Sequence, residues 1–269
     1  DLENLTQPQT LTVTGHQTDT PIGRNTMELL TDRTVLLVCA NYGVLLCATI
    51  FMDETIPLFL KQRHEEGGFE FTMKSIGLLL SCTGVISLLF LIYVLPIFNQ
   101  YKKQTLYYYS ALLLIPCVLL WPMAAYFYYH FHVDNQIGTD SDIMVWCLMF
   151  LLGFTNIIRN CLCALTFTIV MIQVNNSVKT NELGVVNGLG QLVASIARCV
   201  GPVVGGLLWS VSTTFHFLFL NFIIISILIV ISIIINNILP SSLENSKEVE
   251  VEVGVELDND KINIKQQGI

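Results

Sequence analysis

Charge is what this sequence has least of: only 13% of its 269 residues are Asp, Glu, Lys or Arg, against about 25% in soluble domains. With 53% hydrophobic residues and a mean hydropathy of +0.62, that scarcity argues against an aqueous enzyme. The 13 Lys and Arg are scattered and the net charge is -8. No basic patch exists to grip phosphates, so no nucleic-acid partner is expected. A disulfide framework is missing too. The eight cysteines, Cys39, Cys47, Cys82, Cys117, Cys147, Cys161, Cys163 and Cys199, all fall inside apolar runs and read as buried small hydrophobes. No HxxxH or CxxC spacing is present. His16, His64, His130, His132 and His216 sit in the polar head, in outer loops or at the edge of a span, so no metal site is expected. The weak grouping of His130 and His132 with Asp134 reads as a solvated loop. There is no GxSxG nucleophile, no phosphate-binding glycine loop and no intramembrane His/Asp cluster, so neither catalysis nor a cofactor is expected. The chain opens on Asp1 with a polar stretch and no apolar h-region; it reads as lacking a signal peptide and as a piece of something longer.

What is present is long apolar runs. A bilayer core of about 30 Å takes roughly 20 residues of helix, and six such runs occur: 34–60, 76–98, 105–129, 143–174, 183–211 and 215–239. Stretches such as ILIVISIII lack the polar/apolar alternation of barrel strands, so the spans are helical. The fourth run must tilt strongly or project beyond the membrane. Residues 1–30 read as a polar loop or linker, 31–240 as a six-helix transmembrane domain and 241–269 as an acidic, flexible tail. With an even number of spans both ends share one side. That side holds Arg24, Arg33, Lys102, Lys103, Lys179, Lys247, Lys261 and Lys265, the other only Lys61, Arg63 and Lys74, so both termini are predicted cytoplasmic. Tyr107, Tyr108 and Tyr109, and Tyr126, Tyr128 and Tyr129, sit where interfacial aromatic belts belong.

An ionisable residue inside a span is a functional candidate, because centring one costs about 2.5–3.5 kcal/mol on the insertion scale. Asp53, Glu54, Arg159 and Arg198 qualify. In the fourth span Asn156, Arg159, Asn160, Cys163 and Thr166 recur on one helical face. That face reads either as an anion or substrate contact in a polar cavity or as an interhelical hydrogen-bonding seam around a structural cation. In the fifth span Gly184, Gly188, Gln191, Ser195, Arg198, Pro202 and Gly205 form one small or polar stripe. This stripe is expected to pack on a neighbour, helped by the pairs Gly184/Gly188 and Gly201/Gly205 and by a bend at Pro202; Arg198 reads as a gate or packing residue. On the first span Pro57 frees a carbonyl near Asp53, and the two acids read either as ordinary interfacial groups or as proton-exchanging ones. Depth counting sets Asp53 apart from Arg159 and favours Arg198 as its partner.

These features together resemble the second six-helix half of a major facilitator superfamily transporter. Those that carry the likeness are the six spans, the Gln100-Tyr101-Lys102-Lys103 turn, the polar fourth span and the Gly-Pro-bearing fifth. The stretch LGVVNGLGQLVASIARCVGPVVGGLLWS, from Leu183 to Ser210, is similar to the zinc-induced facilitator-like branch, including Asn187-Gly188, Gly201-Pro202 and Gly205-Gly206. Glu54 and Arg159 agree with that branch. The loop after the second span keeps Pro96, Tyr101, Lys102 and Lys103 of the superfamily's signature, without its Gly or Asp. The resemblance implies an all-α integral membrane protein of twelve helices, whose missing N-terminal half rocks against this one about a central site. Spans one and four would line that site, with Glu54 as proton carrier ahead of Asp53, Arg159 with Asn156 and Asn160 lining the cavity, and Arg198 as gate or packing residue. The implied activity is proton-coupled movement of a small solute or metal chelate across the plasma membrane or a vacuolar or endosomal membrane. The alternative is a non-transporting scaffold or receptor that uses its acidic tail to recruit partners.

Overall fold

The structure, a computed structural model, describes residues 26–63, 66–135, 141–215, 217–240 and 243. Most of the polar head and nearly all of the acidic tail lie outside these residues. Among the described residues the chain forms no strand. Its helices are α1 (Thr26–Thr31), α2 (Arg33–Lys61), α3 (Met73–Tyr93), α4 (Lys103–Asn135), α5 (Ser141–Asn176), α6 (Leu183–Thr214) and α7 (Phe219–Ile238), with 3-10 turns at Leu95–Gln100 and Thr180–Glu182. The last six helices are long and apolar enough to cross a membrane, and they match the six apolar runs in order. Asp32 accepts from the Thr34 N–H at 2.8 Å to start α2, and Thr72 accepts from the Ser75 N–H at 3.2 Å to start α3. Both are ordinary N-caps for orphan helix donors. The second run ends early, at Tyr93, because Pro96 sits in the opening of the following 3-10 turn. The fourth is a single helix of 36 residues, about 54 Å long at 1.5 Å per residue.

α2 is the central element. It packs on α5, α6 and α7, while α4 packs on α5 and α7, and α3 rests on α5. α3 fully buries only Ile76, Leu79 and Thr83, with Leu80 partly buried beside them, and most of its remaining surface is exposed. Lipid offers no hydrophobic drive between helices, so close approach has to come from small residues. The contact of α2 with α6 shows this directly. A Cβ built on Gly43 would lie 2.5 Å from Val193 Cγ1, and one on Gly201 would lie 2.7 Å from Ile50 Cγ2. Position numbers rise together along this seam, so α2 and α6 run parallel.

The end of the bundle that carries the start of α2 and the end of α7 is tied by buried polar groups. Asn41 Oδ1 accepts from Ser232 at 2.6 Å and from the Tyr107 hydroxyl at 3.3 Å, and Tyr107 also bonds Ser232. Gln173 donates to Asn236 Oδ1 at 2.9 Å, and Gln104 to the Asn236 carbonyl at 3.1 Å. Asn41→Leu is expected to cost about 1–2 kcal/mol, because Tyr107 and Ser232 still bond each other but one of the two buried hydroxyls loses its acceptor. The triple change Asn41→Leu, Tyr107→Phe, Ser232→Ala is expected to be closer to neutral, and thermal unfolding in detergent compares the two.

At the opposite end the segment after α2 folds back onto the bundle. The Phe71 N–H reaches the Leu60 carbonyl and the Glu70 N–H the Gln62 carbonyl, each at 2.8 Å. Gly68 permits this, since a Cβ there would meet the Gln62 backbone at 2.4 Å. The fold-back seats Phe69 edge-on to Phe59 at 5.4 Å, and Phe59 also meets Phe222 at 5.0 Å.

Two expectations are corrected here. Tyr107 and Tyr128 are buried rather than interfacial, whereas Tyr109 and Tyr126 are exposed; adjacent residues on a helix point about 100° apart and cannot share one surface. Of the cysteines, Cys39 is buried but Cys82, Cys147 and Cys199 are exposed on apolar helix faces, because a run that is apolar all round includes the face turned away from the bundle. All eight are free thiols.

Candidate functional site

The polar face of α5 runs through Asn156 and Arg159, at 1% and 4% exposure, to buried Thr166. Thr166 is spent on its own helix, its hydroxyl donating to the Leu162 and Cys163 carbonyls. Asn156 is the orienting group. Its amide donates to Thr83 Oγ1 of α3 at 3.0 Å, and that hydroxyl in turn donates to the Leu80 carbonyl at 3.0 Å. Those bonds turn the Asn156 oxygen toward Arg159, whose Nε donates to it at 3.1 Å. Nη2 of Arg159 donates to Asp53 Oδ1 of α2 at 3.1 Å and also to Asn160 Oδ1. One guanidinium therefore ties α2 to α5, and through Asn156 to α3.

The Arg159–Asp53 pair is lopsided. Its side chains are 5% and 65% exposed in this six-helix unit, so the cation is enclosed by the bundle while the carboxylate faces out of it. The pair overturns the depth estimate that favoured Arg198 as the partner of Asp53. Arg159 lies near the middle of a 36-residue helix, and a guanidinium several ångströms from its backbone reaches across the remaining offset. Behind Arg159 the packing leaves a void of only about 10 Å³, lined among others by Thr49, Met52 and Cys163, room for at most one water. Glu54, one residue from Asp53, is exposed. Pro57, inside the same helix, lacks the N–H that a regular helix would direct at the Asp53 carbonyl.

The stripe on α6 also needs correction. Gly184, Gly188, Gln191, Ser195, Arg198 and Pro202 are exposed, not packed. The surface buried against the bundle is Val186, Gly190, Ala194, Ala197, Gly201 and Gly205. Four of these positions, Gly190, Ala194, Ala197 and Gly201, come one residue before Gln191, Ser195, Arg198 and Pro202, so the two faces differ by about 100°. Only Gly201 and Gly205 pack as expected, against Ile50 and Phe51; no atom of another element comes within 4 Å of a Cβ built on Gly184 or Gly188. The small residues fell on both faces, which is why spacing alone chose the wrong one. Asp53 and Arg159 are thus brought together, whereas Gln191, Ser195 and Arg198 are exposed on α6.

Two larger hollows carry little chemistry. One of about 330 Å³ between α3 and α5 is walled by residues such as Leu78, Ile86, Trp146 and Phe150. Another of about 250 Å³ near Pro96 has Lys103 as its charged neighbour. Among the described residues no three His, Cys, Asp or Glu side chains gather to hold a metal. The side chains of His16, His64, His130, His132, Asp134 and His216 lie outside the described residues. Thr83 and Asn41 escaped the sequence reading, and Tyr107 was read only as an interfacial aromatic, since single hydroxyls and amides in apolar runs give no periodic signal.

Comparison with known proteins bears on this architecture. The chain is 26% identical over 187 residues to a probable peptide/nitrate transporter of Arabidopsis thaliana, covering 69% of this chain and 35% of that protein. It is 24% identical over 170 residues to the protein ZINC INDUCED FACILITATOR 1 of the same plant, covering 63% of this chain and 32% of that protein. The matched stretch thus spans about a third of the length of these curated relatives. No family model matches, and no solved structure does. Both relatives are of the major facilitator type, and the likeness to a six-helix half of such a transporter, in its zinc-induced facilitator-like branch, stands on them and on the six apolar helices.

Proposed function

We propose that this chain is the second half of a proton-coupled secondary transporter that moves a small solute or metal chelate by alternating access. The observation that carries the reading is the Arg159–Asp53 bridge between the first and fourth spans, with the carboxylate exposed at the edge of the bundle. Ionisable residues within membrane spans mark substrate or ion paths, and a brace is built at lower cost from apolar packing. On this reading Arg159 is the cavity charge, held by Asn156 and Asn160. Glu54 is the proton carrier beside it, and Arg198 gates the exposed stripe. The polar side of α6 and the broad free faces of α3 and α6 would meet the N-terminal six-helix half, with both termini of this chain cytoplasmic.

Two measurements test this. An antibody to the acidic tail should detect a native polypeptide near twice the 30.2 kDa of this chain. In vesicles holding that polypeptide, Glu54→Gln is expected to reduce acid-driven uptake to background while leaving solute exchange at equal pH on both sides measurable. Acid-driven uptake that survives Glu54→Gln removes the carrier role. A native band at 30 kDa with no flux removes the transport reading.

A further inference from the structure

The ion pair at the centre of that proposal has a form that points to the chemistry of its ligand. The Arg159 guanidinium is held at Nε by Asn156 and at Nη2 by Asn160, both neutral amides. Its one anionic partner is Asp53, which touches it through a single oxygen and is 65% exposed. Nη1 makes no hydrogen bond among the described residues. The cation is closed off behind by Thr49, Met52 and Cys163. Asp53, the exposed member of the pair, marks the side from which an incoming anion would reach it.

A guanidinium enclosed by the bundle needs an anion at all times, whereas a carboxylate that faces out of the bundle and touches that cation through one oxygen loses less by letting go. We infer that Asp53 is an exchangeable stand-in and that this site takes a small carboxylate-bearing solute, which displaces Asp53 and forks onto Nη1 and Nη2 of Arg159. The planar donor pair matches a carboxylate in geometry and charge, and the two amides hold that plane in place before the solute arrives. A neutral or cationic solute would leave the buried cation without a counter-charge at the moment Asp53 departs. Displacement also frees a carboxylate next to Glu54, which couples arrival of the solute to the charge of the first span. This inference rests on the transport reading only for its consequence; the binding event stands by itself.

Thermal unfolding of the detergent-solubilised full-length polypeptide tests it, with succinate and citrate as probes, glucose and choline as controls, and ionic strength matched with chloride. Succinate or citrate is expected to raise the unfolding temperature of the unaltered protein. Asp53→Asn, which removes the internal competitor, is expected to lower the concentration for half-effect several-fold. Arg159→Met is expected to abolish the shift, and Arg159→Lys, which keeps the charge but loses the fork, to weaken it several-fold if the Met variant does not fold. No shift in either the unaltered or the Asp53→Asn protein overturns the inference, as does an equal shift in the Arg159 variants. Binding that obeys this pattern without flux would overturn the transport reading alone. Flux of a neutral solute indifferent to Arg159 would overturn the carboxylate inference alone.

Discussion

Val at Gly201 is expected to push α6 off α2 and to lower the stability of the six-helix unit by about 1–3 kcal/mol, the usual cost of overpacking a tight contact. Even the first added carbon would sit 2.7 Å from Ile50 Cγ2 and 3.4 Å from Ile50 Cβ. Both atoms belong to a β-branched side chain with little freedom to swing away. The seam between these two helices has a second such point at Gly43 against Val193, so the strain has nowhere along the contact to dissipate. Combining Gly201→Val with Ile50→Ala is expected to recover most of the loss. Gly188→Ala is expected to leave the unit as stable or to stabilise it by up to about 1 kcal/mol through helix propensity, because nothing lies near that position. Unfolding temperatures in detergent decide the matter; equal sensitivity at Gly188 and Gly201 would contradict the packed face described for α6.

Arg159→Met is expected to abolish transport while changing stability by no more than about 1–2 kcal/mol. Two effects of opposite sign produce that small number. Removing a buried charge relieves desolvation, which for isosteric apolar replacements is neutral or favourable by about 1–4 kcal/mol. Against it, the Asn156 and Asn160 oxygens lose their donor, at about 1–3 kcal/mol for each one left buried. Asn160 is only half-buried, so its share is reduced by solvent. Asp53→Asn is the informative contrast. It leaves a cation that is only 5% exposed without a counter-charge, and the loss is expected to be about 3 kcal/mol, the low end for stranding a buried charge. Flux in vesicles and unfolding in detergent, read on the same preparations, separate the two roles. A stability loss in Arg159→Met as large as that of Gly201→Val would mark the arginine as a structural brace.

Much of the fold was legible before any coordinates, because a bilayer forces each span to satisfy its own backbone and to stay apolar for its full length. The six runs gave the six helices for that reason, and even Pro57, Pro116, Pro122 and Pro202 did not interrupt them. The ionisable residues were legible as well, since a charge in such a run has no cheap explanation. Which way they point was not. Arg159 was separated from Asp53 by counting residues along straight helices, an estimate that omits both tilt and the reach of the side chain. On α6, Gly188 and Gly201 are equivalent in sequence and opposite in the bundle.

What the sequence determined by itself is therefore one-dimensional: number of spans, their helical nature, and the presence of Asp53, Glu54, Arg159 and Arg198 where lipid would not tolerate them unpartnered. The tertiary structure decided the rest. It chose Asp53 as the partner of Arg159, set Asn156 to orient the guanidinium through Thr83, and turned the stripe of α6 outward by 100° while burying the residues just before it. The reason is that in lipid apolar periodicity does not mark the inward face. Only the meeting of particular small residues, such as Gly201 against Ile50, fixes how each helix is turned about its own axis.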